Sequence, residues 1–303
     1  MINFAKLFLS PGQSTVLFGL FETDWDYGRA VHFIAPAAFA QREFSPGSPE
    51  TAPTILWQQG VVSAADVAIS ADWGFQLYNQ GTITNRLFLT LAEASQVADG
   101  RYAITGSAYA DGVHNAGRID GALHLNDGND LLDGRLGIIL GAIHGGSGDD
   151  TLLSGAAAET LLGGDGRDWM DGGAGADSLL GGAGDNLLFA GTGNDSLTGE
   201  DGHDEMHGEA GDDWLVGDRG NDSLAGGDGT DTLVGGDGDD TLEGGDGDDL
   251  LEAWDDRDQV SGGAGNDTII AWGGDDALSG GAGDDVILTG TTNLQDILSL
   301  FSV

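Results

Sequence analysis

A large apolar residue recurs every nine residues along the second half of the chain. From Gly145 to Leu288 the sequence divides into sixteen consecutive nonapeptides without an insertion or deletion, and the eighth position is apolar in every one. The seventh and ninth positions are mostly polar or small. This triplet predicts a three-residue strand with one side chain turned inward, and the other six residues of each unit are interpreted as a turn.

The turns carry a recurring glycine and a recurring aspartate. The units follow the pattern G-G-x-G-x-D-x-U-x, with U a large apolar residue, as in Gly145 to Leu153 (GGSGDDTLL) and Gly280 to Leu288 (GGAGDDVIL). Glycine holds the fourth position and aspartate the sixth in fourteen units each. Because a three-residue strand cannot bury a core alone, successive units must coil and stack, which predicts an all-β solenoid.

Stacking would place the sixth-position acids close together. If two nonapeptides form one coil, these acids fall into two columns on opposite edges of the stack. One column is Asp150, Asp168, Asn186, Asp204, Asp222, Asp240, Asp258 and Asp276, and the other is Glu159, Asp177, Asp195, Asp213, Asp231, Asp249, Asp267 and Asp285.

Charges on adjacent coils would repel strongly. At the strand spacing of about 4.8 Å, two unit charges repel by roughly 3.5 kcal/mol at an effective dielectric of about 20. Six such contacts in one column would cost on the order of 20 kcal/mol, which exceeds the roughly 5–15 kcal/mol that stabilises a domain. The stack is therefore not expected to close without a cation.

Composition also indicates a cationic partner. The chain has 51 acidic residues against 10 basic ones, for a formal net charge of −41. Nucleic acid is excluded as a partner because phosphate binding needs clustered lysine and arginine, and Lys6 is the single lysine. The absence of cysteine excludes disulfides, thiol nucleophiles and zinc-thiolate sites. Calcium suits carboxylates and loop carbonyls better than magnesium, which demands stricter octahedral geometry and loses its water reluctantly.

Residues 145–288 resemble the nonapeptide β-roll of the RTX (repeats-in-toxin), or hemolysin-type calcium-binding, family. The resemblance implies a right-handed parallel β-roll in which several calcium ions lie between turns, held by sixth-position aspartates and by loop carbonyls. It implies the aspartate ligands Asp150, Asp168, Asp177, Asp195, Asp204, Asp213, Asp222, Asp231, Asp240, Asp249, Asp267, Asp276 and Asp285. It also implies turn sites at Gly148, Gly166, Gly175, Gly193, Gly202, Gly211, Gly220, Gly229, Gly238, Gly247, Gly265 and Gly283.

The same resemblance implies where the protein acts. Members of this family leave Gram-negative bacteria unfolded through a type I secretion apparatus that reads an uncleaved C-terminal signal. Residues 289–303 end in an apolar run and are interpreted as that signal, or as a cap on the open end of the roll. No run reaches the roughly 18 apolar residues of a membrane-spanning helix. The chain is therefore expected outside the cell or at its surface.

Some units depart from the pattern, and weak sites or caps are expected there. Ala157 and Glu159 replace the glycine and the aspartate of one unit, and Asn186 lacks a charge. In the unit from Ala253 to Ser261, Trp254 and Asp256 replace turn glycines while Asp258 keeps the register. Trp254 and Trp272 are two nonapeptides apart, which would let them stack on adjacent coils, either as local structure or as a binding platform.

The remaining chain is divided by composition. Residues 1–103 are interpreted as a β-rich domain of unknown activity, with strands at Ser14 to Phe21, Asp66 to Ser70 and Arg86 to Leu91, and a loop at Gly47 to Pro53. The stretches 78–85 and 114–134 carry spaced N-x-G-x-I and D-G-N-D elements that are typical of degenerate coils, so 104–144 is assigned to coils that precede the roll. Asp127 and Asp130 are candidates for an early calcium site.

Two classes of function remain open. An adhesin, surface or matrix component, with cell-surface or matrix glycans as possible partners, is favoured because no nucleophile elbow or H-E-x-x-H motif is present. The alternative is a secreted enzyme whose hydrolase-like N-terminal domain would use His32 with Asp24, Asp26 or Glu22. The HDEMH sequence at His203 and His207 has its glutamate misplaced for a zinc protease, and both histidines are expected in solvent. Ice binding would need regular threonines in the turns, where only Thr192 and Thr230 occur at the third or fifth position.

Overall fold

The computed structural model describes residues 54–58, 61–63, 69–70, 75–79, 82–84, 102–106 and 108–290. Contacts divide the chain into two compact units, Met1–Gly164 and Asp165–Val303. Every element in the described ranges is a β-strand, and every strand pair is parallel. The described ranges contain no helix that is long and apolar enough to cross a bilayer. The predicted all-β parallel solenoid is thus confirmed.

In the first unit, each of the first four coils contributes one strand to each of three sheets, and β13 and β14 follow without a strand in the second sheet. The first sheet has the order β1 (Thr54–Gln58), β4 (Phe75–Asn79), β7 (Gly112–Asn115), β10 (Leu131–Asp133) and β13 (Thr151–Leu153). The second contains β2 (Val61–Ser63), β5 (Thr82–Thr84), β8 (Arg118–Asp120) and β11 (Ile138–Leu140), and the third contains β3 (Ile69–Ser70), β6 (Tyr102–Thr105), β9 (Ala122–Asp127), β12 (Ile143–Ser147) and β14 (Thr160–Asp165).

The first unit bears on several predictions about the N-terminal part. The degenerate coils predicted at 78–85 and 114–134 do contain solenoid strands, and such strands begin already at Thr54. Ile69–Ser70 forms the end of the strand predicted from Asp66. The predicted strands at 14–21 and 86–91, the loop at 47–53, and the residues around His32 lie outside the described residues. The domain boundary after residue 103 stays a prediction.

In the second unit, the chain alternates between two sheets. One sheet contains β15 (Trp169–Ala174), β17 (Leu187–Thr192), β19 (Glu205–Ala210), β21 (Ser223–Asp228), β23 (Thr241–Asp246), β25 (Gln259–Ala264) and β27 (Ala277–Ala282). The other contains β16 (Ser178–Ala183), β18 (Ser196–Asp201), β20 (Trp214–Arg219), β22 (Thr232–Asp237), β24 (Leu250–Ala253), β26 (Thr268–Ala271) and β28 (Val286–Thr289). Paired residues such as Leu197 and Leu215 are two nonapeptides apart, which confirms the predicted coil.

The core of the second unit is a line of eighth-position side chains. Leu188, Leu197, Met206, Leu215 and Leu233 are each fully buried. Their neighbours on both sides point outward, as strand β20 shows with exposed Trp214, buried Leu215 and half-buried Val216. In the last described coil the burial fails, because Leu278 is half-buried and Ile287 is 42% exposed.

The predicted strand length was wrong. Most strands in this unit have six residues, covering positions seven to nine of one nonapeptide and one to three of the next, so the turn shrinks to about three residues. The hydrophobic pattern marks only the one inward side chain and does not detect the two glycines that follow. Neighbouring coils pack directly on the backbones of those glycines. A Cβ on Gly208, for example, would lie 2.6 Å from the carbonyl oxygen of Gly226.

Candidate calcium sites at the turns

Each sixth-position carboxylate links two coils. The backbone N–H of Asp195 donates to Oδ1 of Asp213 at 2.8 Å, and the N–H of Asp213 donates in turn to Oδ1 of Asp231 at 2.8 Å. The other edge repeats the arrangement, since the N–H of Asp204 donates to Oδ1 of Asp222 at 2.8 Å. The two predicted columns of acids are therefore real features of the fold, and each of these hydrogen bonds spans the predicted two nonapeptides.

The second oxygen of each carboxylate is buried and unsatisfied. In the second unit, Oδ2 is inaccessible to solvent and has no hydrogen-bond partner among the described residues at nine of these positions. They are Asp195, Asp204, Asp213, Asp222, Asp231, Asp240, Asp249, Asp258 and Asp267. A buried ionised oxygen without a partner is costly, because it has lost its hydration and gained nothing in exchange. Such a row of oxygens is the donor set that a hard cation requires.

Asn186 has an NH₂ group where the aspartates of the other turns have their second carboxylate oxygen. Its Oδ1 accepts from the N–H of Asp168 at 3.0 Å, as an aspartate Oδ1 does elsewhere in the column. Its Nδ2 therefore occupies the place of an aspartate Oδ2, and it donates to the carbonyl oxygen of Gly184 at 3.0 Å. In the other units an oxygen replaces that NH₂ group, so two acceptors face each other. Joining them requires a proton, a cation or a hydrogen-bond donor such as water.

The Nδ2 atom of Asn186 and the Oδ2 atom of an aspartate occupy the same place in their respective turns. A Cβ on Gly181 would lie 2.7 Å from Nδ2 of Asn186, and a Cβ on Gly208 would lie 2.5 Å from Oδ2 of Asp213. Both atoms therefore sit over the first-position glycine of their own turn. A side chain at this position would crowd the oxygen in these two turns, although alanine is accommodated there in the units of Asp195 and Asp258.

The pKa values of these aspartates also reflect the cost of burying their carboxylates. Burial raises the pKa of Asp213 and of Asp240 to about 7, and that of Asp204, Asp231 and Asp258 to about 6. The backbone N–H that each carboxylate accepts lowers the pKa, and neighbouring aspartates raise it. Loss of hydration is the largest cause, whereas mutual repulsion was the predicted one. Repulsion between the carboxylates is therefore the smaller of the two reasons why the turns need a cation.

Carboxylates alone do not form the sites. The described part of the chain contains no group of three or more histidine, aspartate or glutamate side chains placed to hold one metal ion. Backbone carbonyls of the turns must complete the coordination, and calcium accepts such oxygens. The predicted fourth-position glycines all have φ between 126° and 151°, which only glycine adopts easily. At Gly220 a Cβ would collide with the carbonyl oxygen of Gly202.

The structure buries most of the predicted ligands and places further carboxylates in the same columns. The predicted aspartates from Asp150 to Asp267 are buried, whereas Asp276 and Asp285 in the last described coil are half-buried. Asp258 was left out of the predicted ligands because its turn lacks glycine, yet it is fully buried and accepts the N–H of Asp240 at 2.9 Å.

The carboxylate column also begins earlier than the repeat. Asp130, a predicted candidate, is buried and accepts the N–H of Asp111 at 2.6 Å, whereas its predicted companion Asp127 is exposed. Burial raises the pKa of Asp130 to about 8. Asp111 was not predicted, because the spacing there is one residue longer than two nonapeptides and the nonapeptide pattern is absent.

A second set of inter-coil bonds was not predicted. Fifth-position side chains accept from the fifth-position N–H of the following coil, as when Asn194 Oδ1 accepts from Asp212 at 3.2 Å and Asp248 Oδ1 accepts from Asn266 at 2.7 Å. His203 joins such a row, since its Nδ1 accepts from the N–H of Asn221 at 2.7 Å. The fifth position holds Asp, Asn, His, Thr, Arg and Ala, so it looks variable in sequence. Where such a bond forms, the accepting side chain is Asp, Asn or His.

The two histidines of the HDEMH sequence make separate contacts. His203 is exposed at the turn, as predicted, whereas His207 on strand β19 is half-buried because its ring stacks on Phe189 at 4.8 Å between centroids. His207 Nε2 is also 3.0 Å from a carboxylate oxygen of Glu205. Trp254 and Trp272 occupy the same position on neighbouring coils, as predicted, and Trp254 is 49% exposed.

Together, the fold and the carboxylate columns define a calcium-binding parallel β-roll of stacked nonapeptides. Comparison with known families agrees, because the RTX calcium-binding nonapeptide repeat matches the chain in overlapping segments that together span residues 142–287. These residues are RTX calcium-binding nonapeptide repeats, and their cofactors are multiple calcium ions. No curated protein matches the chain.

One solved structure with a similar backbone is a hyperactive, Ca²⁺-dependent, β-helical antifreeze protein from an Antarctic bacterium. The two chains are 18% identical and superpose with a TM-score of 0.48, over 82% of this chain and 76% of the other.

Proposed function

We propose that this is a secreted protein whose roll folds when extracellular calcium fills the turns, and that it serves as an adhesin, surface or matrix component. The row of buried Oδ2 atoms without partners carries the first part of the proposal. In it, the ligands are the sixth-position aspartates of the two columns together with turn carbonyls. Because calcium is required to close the stack, its binding free energy becomes folding free energy.

Calcium gating suits a protein that is exported unfolded. Extracellular calcium modules bind with dissociation constants of about 10⁻⁴–10⁻³ M, so the low free calcium inside a cell would leave the chain unfolded. Residues 289–303 are proposed as the signal for a type I secretion apparatus. Deleting them should leave the protein inside a secreting host. Undiminished export of the deleted chain would contradict this part of the proposal.

Proteolysis of the full chain tests the gating. In millimolar calcium, the second unit should resist protease and survive as a discrete fragment, whereas in chelator or in magnesium it should be degraded. Equal resistance in chelator would show that the carboxylate columns close without calcium and would reject the proposal.

The adhesive role follows from what the folded roll displays. Its strands present outward side chains in straight rows, among them Trp169 and Trp214, which are 47% and 53% exposed. Binding of the labelled full chain to bacterial cells and to immobilised glycans should be saturable in calcium and lost in chelator. Absence of saturable binding in calcium would contradict the adhesin role while leaving the folding role intact.

Ice binding is not proposed. The outward seventh-position row on one sheet of the second unit reads Ser178, Ser196, Trp214, Thr232, Leu250, Thr268 and Val286. This row is interrupted by large apolar residues, and the turns lack the regular threonines that a repetitive ice-binding face would need.

A further inference from the structure

A cleft on the outer face of the second unit is not explained by calcium binding. It has a volume of about 540 Å³ and crosses strands β18, β20 and β22, with Trp254 at one end. Its size falls within the range of about 300–1,000 Å³ that is usual for ligand sites.

The cleft arises from one column of second-position residues. Glu200, Asp218 and Gly236 are paired across adjacent strands, and Trp254 follows two nonapeptides after Gly236. Gly236 has no side chain, so a gap of two strand spacings, about 9–10 Å, separates Asp218 from Trp254. Val216 and Val234, the half-buried ninth-position residues of β20 and β22, line the cleft beside this gap.

The walls are strongly acidic. Glu200, Asp201, Asp218 and Asp237 line the cleft together with a single basic residue, Arg219, which forms an ion pair with Asp201. Among the described residues, Glu200, Asp218 and Asp237 have no basic partner. Four carboxylates against one guanidinium leave an excess of negative charge at the cleft.

Glu200 and Asp218 stand where most units have glycine. Their φ angles are 79° and 72°, in the left-handed region that is uncommon for residues with a side chain. The carboxylates are therefore held at positions where the backbone favours glycine.

The carboxylates of this cleft are spread along three strands, and no three acidic side chains of the described residues converge on one point. The spread carboxylates suit a ligand that carries its positive charge at the end of an apolar stem. Such a stem would lie on Val216 and Val234, and its head would lie between the carboxylates and the exposed ring of Trp254. Arginine and lysine side chains have this form, and their cations are attracted to tryptophan faces.

We propose that this cleft binds arginine or lysine side chains of a partner polypeptide. The proposal rests on the proposed function only in that the roll must first be folded around calcium. It also identifies a polypeptide rather than a glycan as the partner of this surface. Charge complementarity decides between them, because a neutral saccharide gains no electrostatic attraction from the excess carboxylates.

The repeat provides closely matched variants for the test. Asp218→Gly removes one carboxylate from the cleft and restores the residue that most units have. Glu209→Gly removes one carboxylate from the same repeat position on the other sheet, where φ is 69°. The two variants therefore have the same net charge. Trp254→Ala and Trp169→Ala remove tryptophans that are 49% and 47% exposed.

Binding of a fluorescein-labelled tetra-arginine peptide to the full chain would be followed by fluorescence anisotropy in saturating calcium. Circular dichroism in the same buffer would confirm that each variant is folded, which separates a failure of this site from a failure of calcium-gated folding. Asp218→Gly and Trp254→Ala should each weaken binding by about threefold to tenfold, the effect expected for loss of one partly exposed ionic or cation–π contact.

Glu209→Gly and Trp169→Ala should leave the peptide's dissociation constant unchanged. Equal weakening by Asp218→Gly and Glu209→Gly would overturn the proposal, because it would show attraction to net charge without a site. The proposal would also fail if a neutral chito-oligosaccharide bound in a Trp254-dependent manner and the peptide did not.

Discussion

Replacing Asn186 by aspartate should add a calcium requirement to a turn that lacks a sixth-position carboxylate. In the structure, Nδ2 of Asn186 donates to the carbonyl oxygen of Gly184 at 3.0 Å, and the substitution turns this donor into an acceptor without changing the shape of the side chain. The N–H of Asp168 could still donate to Oδ1, as it does now at 3.0 Å. The variant therefore isolates the role of the second oxygen.

The size of the effect follows from two alternatives open to the new carboxyl group. If it stays ionised, repulsion from Asp168 and Asp204 on the adjacent coils costs about 7 kcal/mol at a separation of about 4.8 Å and a dielectric of about 20. If it takes up a proton at pH 7, the cost is about 4 kcal/mol. The pKa of an ordinary aspartate lies roughly three units below 7, and each unit corresponds to about 1.4 kcal/mol. The protonated form is cheaper, so the loss without calcium should be about 4 kcal/mol at pH 7.

Calcium titrations followed by far-ultraviolet circular dichroism measure this loss. At pH 7 the folding curve of Asn186→Asp should move to higher calcium and become steeper, because one more ion must bind. At pH 5 the displacement should shrink, since protonation is then easier. Asn194→Asp, which makes the same charge change beside Asp212 at an exposed fifth position, is the control and should move the curve less, because solvent screens the added repulsion. Equal curves for the two variants would refute the reasoning.

Three further predictions follow from the same contacts. Asp231→Asn should reproduce the Asn186 arrangement, so calorimetry should find fewer bound calcium ions than in Asp228→Asn, an exposed control; an unchanged number would show that Asp231 is not a ligand. Burial raises the pKa of Asp213 and Asp240 to about 7 from the ordinary value of 3.8, so the folded state binds more protons than the unfolded state. The calcium-free roll should therefore be most stable near pH 4 and lose that stability as the pH rises through about 6–7, whereas a gain with rising pH would contradict the assignment. Gly220→Ala, at φ 143° and against the carbonyl oxygen of Gly202, should lower the free energy of unfolding in calcium by at least about 1–3 kcal/mol in urea titrations, while Gly290→Ala, with open space around it, should have no effect.

The period of the fold could be predicted because the repeat is unbroken. Sixteen nonapeptides without an insertion determine which residues lie two units apart, and the hydrogen bond from Asp195 to Asp213 spans that distance. The inward line of eighth-position side chains follows from the same register.

Features that depend on backbone contact between coils could not be predicted. Strand length was underestimated because first- and second-position glycines carry no hydrophobic signal, although they pair with the next coil. The fifth-position bonds, such as Asn194 to Asp212, were missed because several side chains can supply an acceptor. Asp258 was undervalued because its turn has lost its glycines, although its backbone partner Asp240 lies in an intact turn.

The cleft beside Trp254 could not be anticipated either. Trp254 stood out in the sequence only as a departure from glycine, and its pairing with Trp272 was the nearest interpretation available. The cleft depends on Gly236. Glycine is the usual residue at this repeat position, but its two neighbours in the column, Asp218 and Trp254, are not glycine. Only the stacked register shows that a missing side chain there leaves space between Asp218 and Trp254.

The central claim is that calcium closes the roll by binding buried carboxylate oxygens that otherwise lack a partner. The most direct test is circular dichroism of the full chain during a calcium titration at pH 7, with magnesium in a parallel series. A cooperative gain of β-structure with calcium, and none with magnesium at the same concentrations, is the predicted result. A chain that is already folded in chelator at pH 7, or that folds equally with either ion, would contradict the account.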